Sequence, residues 1–246
     1  MDIEQGKLLP FYLVIDVSYS MSGAKLKAAD DIMPAVVDTL AQAPILCDKV
    51  RFGLIDFADD AQVRLPLCDL LDENVTLPAL NVRGGTSYAA AFRLLRTELE
   101  ANVRQLKADG FAVHRPAVFF LSDGEPTDSD NEWRAAFHEL TAYDPQTKQG
   151  FPMYPNVVPC GVDGANPRTL KSLIHPATGN KQMQMYLMDN GQDPAKAITM
   201  IAEILISSIL ASGESMAQGN SGIILPPPED LPAGLSAYTA SDEDFV

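Results

Sequence analysis

Two short apolar runs that each end in an aspartate limit the fold of this chain more than any other feature. Residues 10–15 (PFYLVI) stop at Asp16, and residues 117–121 (AVFFL) stop at Ser122-Asp123-Gly124. Both are too short for helices and rich in aromatic and aliphatic side chains, so they read as buried strands. Residues 50–57 (VRFGLIDF), 156–161 (NVVPCG) and 183–188 (MQMYLM) read the same way. Between the strands the apolar spacing becomes helical. Leu26, Ala29, Ile32, Met33, Val36, Val37 and Leu40 mark a helix that Pro34 is expected to kink or split. Further helices are expected over 89–106, over 130–141 with Trp133 as a packing residue, and near 168–173. Asp193-Pro194 opens a last helix, with Asp as N-cap and Pro in the first turn. Its apolar face (Ala197, Met200, Ile201, Ile204, Leu205, Ile209) runs to about Leu210.

Strands alternating with helices imply an α/β fold, a doubly wound, Rossmann-like and mostly parallel sheet with helices on both faces. Residues 61–67 (AQVRLPL) alternate apolar and polar after the Asp59-Asp60 turn, and Pro66 suits an edge, so one antiparallel edge strand is expected there. In such sheets ligands bind beyond the carboxyl ends of the strands. Asp16 and Asp123 should therefore project into one crevice. Asp16-Val17-Ser18-Tyr19-Ser20 adds two hydroxyls to the first carboxylate, and Thr86, behind Gly84-Gly85, offers another. Oxygen donors of this kind suit a hard divalent cation. Alone, Asp-x-Ser-x-Ser reads equally as a turn in which Asp16 or Ser22 caps the next helix. The Gly-Gly-Thr loop and the second strand ending in Ser-Asp-Gly, in this order, favour the metal.

A chain of 246 residues, 46% hydrophobic, has room for one larger α/β domain, read here as 8–212, with a Pro/Gly/Ser-rich acidic tail, 213–246. No Lys or Arg follows Lys196. The net charge of −15 argues against nucleic acid and anionic membranes as partners, because both need a basic footprint. No run of 18 apolar residues suggests a transmembrane helix, and the first residues lack the basic start of a secretory signal. Cys47, Cys68 and Cys160 are widely spaced and form no Cys-x-x-Cys pair, as expected of reduced, buried thiols in a cytoplasmic protein.

The pattern resembles the von Willebrand factor A domain family and its metal-ion-dependent adhesion site. Asp16, Ser18 and Ser20 match the family's first metal loop, Thr86 its second and Asp123 its third. The resemblance spans roughly residues 8–211. Within the family, FFLSDGEPTD (119–128), Trp133 and the serine-rich ISSILASGES look like the bacterial tellurium-resistance-associated, TerY-like branch. The resemblance implies a non-enzymatic module of a stress-response system. Its bound Mg2+ or Mn2+, rather than Ca2+, would take a Glu or Asp from a protein partner, with kinases and phosphatases of the same system as candidates. Two carboxylates and neutral hydroxyls leave such an ion electrophilic, which suits that role.

The rival is a metal-dependent phosphatase-like hydrolase with Asp16 as nucleophile. That chemistry usually wants a second acid two residues on, where Ser18 stands, and His114, His138 and His175 are remote from the loops in sequence. Four side readings complete the expectations. Asp56 reads as an edge-facing or loop-end residue rather than a second metal site. Asp128 reads as ordering the third loop through an Asx turn. Tyr19 and Tyr88 read either as packing or as exposed contact anchors. The terminal Asp242-Glu243-Asp244 reads as a solvated end or as an occupant of the metal position of its own or a neighbouring molecule.

Overall fold

A computed structural model describes residues 6–43, 46, 48–179, 181–220 and 222–242. Its strands are β1 (Lys7–Asp16), β2 (Val50–Phe57), β3 (Ala61–Cys68), β4 (Ala112–Val113), β5 (Ala117–Ser122), β6 (Tyr143–Asp144), β7 (Gln149–Gly150), β8 (Asn156–Gly161), β9 (Gln184–Met188) and β10 (Leu235–Thr239). The helices are α1 (Ala24–Asp30), α2 (Ile32–Ala41), α3 (Tyr88–Ala108), α4 (Asp130–Thr141), α5 (Pro167–Lys171) and α6 (Pro194–Ala217).

The main sheet has the order β10-β9-β8-β5-β1-β2-β3, with β4 also beside β1, while β6 and β7 form a separate hairpin. β1 is parallel to β2, β4 and β5, and the parallel set continues through β8 to β9. β1 and β5 are buried along nearly their whole length, as strands covered on both faces must be. Helices α1 and α2 pack with α6, and α3 packs with α4, giving the two covering layers. Under α3 and α4 lies an aromatic cluster of Phe57, Tyr88, Phe92, Phe120 and Trp133, with ring centroids 4.9–6.2 Å apart. Trp133 is fully buried there, as its packing role predicts.

The sheet corrects one detail of the expectation. It has two antiparallel edge strands, not one. β3 is the foreseen edge, with Pro66 exposed and a register shift against β2. The second is β10, which lies inside the segment read as a tail and pairs antiparallel with β9. The helical stretch around Pro34 divides at Asp31 into α1 and α2, because Pro34 has no N–H to donate to the carbonyl four residues back and its ring crowds that carbonyl.

Helix α6 also runs about two turns beyond Leu210, to Ala217. By length and composition alone it could cross a membrane. In the fold, Ala197, Ile201, Leu205 and Ile209 are buried in the domain core. Its serine-rich end is accommodated by one bond within the helix and by contacts with other segments. The Ser208 hydroxyl donates to Ile204 O at 2.7 Å, and Ser212 Oγ accepts from Ile224 N at 2.8 Å. A Cβ on Gly213 would meet Leu46 at 3.2 Å.

Candidate functional site

The chain runs from β1 to β2 and β3 on one side of the sheet, then returns to β5, β8 and β9 on the other. β1 and β5 are therefore neighbours whose onward connections diverge, and the crevice at their carboxyl ends is a topological switch point. The register pairs Ile15 with Leu121, which sets Asp16 and Ser122-Asp123 side by side at the strand ends. This is why residues more than a hundred positions apart meet.

Four of the five predicted positions form one continuous set of contacts. Asp16 is fully buried; its Oδ1 accepts the Ser18 main-chain N–H at 2.8 Å and its Oδ2 accepts the Ser122 hydroxyl at 2.8 Å. The Ser18 and Ser20 hydroxyls lie 2.9 Å apart, and Ser20 donates to Asp123 Oδ1 at 2.6 Å. Thr86, 6% exposed, is held to the third loop through its main chain. Its N–H donates to Thr127 Oγ1 at 3.3 Å, and its carbonyl accepts the Thr127 N–H at 2.8 Å. The Tyr19 N–H donates to Gly84 O at 3.2 Å, so the second loop touches both others.

Gly84 and Gly85 are required by the approach of Asp59. A Cβ on Gly84, whose φ is +25°, would stand 1.9 Å from Asp59 Oδ2, and Asp59 Oδ1 accepts the Gly85 N–H at 2.9 Å. Ser87 caps α3 by accepting from Ala90 N. The alternative in which Asp16 or Ser22 caps the helix after the first loop is not what forms: the N-cap of α1 is Gly23, and Ser22 donates to Tyr19 O.

The electrostatics of this corner are dominated by burial. Desolvation pushes the Asp16 carboxyl up to about 6, against the hydrogen bonds from Ser18 and Ser122, and the nearby Asp123 charge adds to the rise. Lys25, on the first turn of α1, supplies the nearby cation. Its Nζ donates to Asp123 Oδ2 at 2.5 Å and to Asp163 Oδ2 at 2.7 Å. Burial works against its charge, but the two carboxylates outweigh it and hold its pKa above the usual lysine value.

Two side readings change, and the alternatives for Tyr19 and Tyr88 are decided. Asp56 is not at an edge or loop end in the solvated sense. It is 1% exposed and neutralised by Arg83 at 2.5 Å and Arg64 at 3.5 Å, with Arg83 also reaching Asp60. Asp128 does not close an Asx turn of its own loop; it accepts Ser87 Oγ and Ala89 N at 2.8 Å each, fastening the third loop to the start of α3. Tyr88 is buried rather than exposed, and its hydroxyl donates to Gly124 O at 2.9 Å. Tyr19, by contrast, is 72% exposed between Ser18 and Ser20.

His114 bonds through its N–H to Leu8 O at the start of β1, at the end of the sheet away from Asp16. Cys160 is a buried free thiol and Cys68 a half-buried one; Cys47, like Glu243 and Asp244 of the acidic end, lies outside the described residues.

Sequence reasoning did not single out Ser122, Lys25, Asp163 or Asp59. Asp163 was findable, since it stands two residues after β8, near the same sheet rim as Asp16 and Asp123. Lys25 carried no such signal.

A doubly wound sheet whose switch-point loops gather two buried carboxylates and a run of hydroxyls defines a recognisable class of domain. Residues 11–125 match the family model described as the von Willebrand factor type A domain, a stretch that includes all five predicted positions. Solved structures extend the likeness over most of the fold. A von Willebrand factor type A protein from Catenulispora acidiphila aligns with a TM-score of 0.61 at 14% identity, covering 83% of this chain and 43% of that one. The PilB minor pilin of Streptococcus sanguinis gives 0.56 at 12% identity, with coverages of 85% and 63%. Proximal thread matrix protein 1 of the mussel byssus gives 0.54 at 14% identity, with coverages of 84% and 49%. The chain thus spans less than two thirds of each of these structures. No curated protein sequence is significantly similar to it.

Proposed function

We propose that this domain is a metal-dependent protein-interaction module in which Asp16, Ser18, Ser20, Thr86 and Asp123 hold a divalent cation. The observation that carries the reading is the buried Asp16 carboxylate, which lies beside Asp123 and shares a contact set with the Ser18 and Ser20 hydroxyls. A buried carboxylate without a counter-charge is costly, and a cation bound there would relieve it. Every donor is a hard oxygen. Among the described residues no three His, Cys, Asp or Glu side chains converge, so the donors suit Mg2+ or Mn2+ better than a softer metal or the ligand-hungry Ca2+.

With only two carboxylates in the set, the ion retains appetite for a further one, and a Glu or Asp of a partner protein supplies it. Tyr19, exposed between the two serines, is placed to pack against that partner as an aromatic anchor. The hydrolase alternative gains nothing from the geometry. The Ser18 N–H donates to Asp16 and its hydroxyl pairs with Ser20, where an aspartyl-nucleophile enzyme places an acid–base carboxylate. We therefore read the chain as non-enzymatic. The FFLSDGEPTD segment and Trp133 favour a cytoplasmic, tellurium-resistance-like stress system, with kinases or phosphatases as partner candidates.

Calorimetric titration with Mg2+ and Mn2+ tests the site directly. The wild-type chain takes up one ion and D16A takes up none, while the circular dichroism of D16A remains that of a folded α/β protein. Uptake by D16A equal to wild type would overturn the assignment.

A further inference from the structure

Resting on that reading of the site, we infer that Lys25 is a tethered competitor of the metal, an internal cation that occupies the Asp123 carboxylate until the ion arrives.

Asp123 is boxed in on both oxygens. Ser20 donates to Oδ1 at 2.6 Å and Lys25 Nζ sits at 2.5 Å from Oδ2. The side chain of Asp123 is fully shielded from solvent and that of Lys25 is 14% exposed, so the pair is largely desolvated and its charges are felt strongly. Lys25 is not committed to Asp123 alone. The same ammonium lies 2.7 Å from Asp163 Oδ2, whose side chain is 51% exposed on the turn after β8. Asp163 holds this place with a left-handed backbone, φ +54°, a conformation that Asp tolerates better than most residues.

The ammonium therefore has two seats, one deep and one at the surface. Asp123 and Asp163 share the one lysine, and Asp16, beside Asp123, gains no charge from it, so the pocket keeps negative charge that a divalent ion balances. When the ion enters, Lys25 faces a second cation across Asp123 and is repelled toward Asp163, which keeps it neutralised at little cost. The consequence is a metal site of deliberately reduced affinity. The Asp123 carboxylate is compensated before any ion arrives, and an ion held against a resident lysine remains available to an outside carboxylate.

The test uses K25M, which keeps the stem and removes the charge, and K25R, which keeps the charge. Calorimetric Mg2+ and Mn2+ titrations should show K25M binding about tenfold tighter than wild type or better, and K25R within about threefold of wild type, since a unit charge a few ångströms away has an effect of that order. Thermal melting separates competition from plain packing. K25M should melt below wild type in chelator and at or above it in saturating metal. Equal or weaker metal binding by K25M, or the same loss of melting temperature with and without metal, would overturn the inference. D16A in the same titration reads the metal site itself: if wild type, K25M and K25R all match D16A in binding nothing, the site reading falls and the role of Lys25 with it. Wild-type binding that D16A lacks, with K25M unchanged from wild type, sinks only the role of Lys25.

Discussion

At the scale of single residues, the polar groups of this domain are organised by burial before they are organised by function. Asp56 shows this away from the proposed metal site. Its carboxylate is buried at the end of β2 and survives there because Arg83 and Arg64 both face it. Oδ2 of Asp56 and Nε of Arg64 have no hydrogen-bond partner, so charge rather than full hydrogen bonding holds that side of the cluster. Removing one partner of a buried pair strands the other charge. R83A should lower stability by about 3 kcal/mol, at the low end for such pairs because Arg64 remains. The double variant D56A/R83A should lose clearly less than the two single losses added, as contacting residues do. Urea denaturation measures both, and strict additivity would show that the pair is not coupled. The sequence placed Asp56 on a strand, but the arginine that neutralises it comes from a loop 27 positions on. No local pattern announces that pairing.

At the scale of elements, strands and helices followed from apolar periodicity, and their extra segments followed from neighbours. β2, β8 and α4 have the expected limits because their apolar patterns are bounded by clear turn or capping residues. β10 (LSAYT) has a weak pattern of its own, and it becomes a strand because β9 offers an unpaired edge. The segment leading to it is fastened as well: Ile224 N donates to Ser212, Gln184 donates to Pro226 O at 3.0 Å, and Ile223, Leu225 and Leu231 pack on the core. A chain ending at Asn220 should therefore melt roughly 5 °C lower or more, and should self-associate through the bared β9 edge. Size-exclusion chromatography with light scattering and a thermal scan check this. A monomer with unchanged melting would mean that β10 adds nothing to the sheet.

At the scale of the whole molecule, the acidity of the chain hides an acid-sensitive feature of the opposite sign to its carboxylates. His175 is held neutral by burial, with Arg115 also disfavouring its charge against the Pro155 carbonyl bond, so its pKa falls below the ordinary 6.5. His114 is lowered by burial and by Lys7 and Lys181. The unfolded chain then binds more protons than the fold below pH 6.5, and stability falls as pH drops from there through the lowered values. Asp16 acts in the other direction: its raised pKa costs stability as pH climbs from 3.8 to about 6. The clean measurement is thus a comparison. H175Q should lose less stability than wild type between pH 7 and pH 5, by chemical denaturation at each pH. Parallel curves for the two proteins would show that His175 does not contribute.

What the sequence determined by itself is the alternation of buried strands with amphipathic helices, and with it the mainly parallel sheet and the crevice at its carboxyl ends. Those follow from local periodicity and from the fact that a strand ending in Asp must present that Asp at the sheet's rim. The tertiary structure alone decided which other groups share the rim. It brought Ser122 to Asp16, Lys25 to Asp123 and Asp163, and Asp59 to the Gly84-Gly85 backbone. It also made an edge strand of residues 235–239. The physical reason is the same in each case. These contacts balance charge and backbone hydrogen bonds between segments distant in sequence, and such balances exist only once the strands are set side by side.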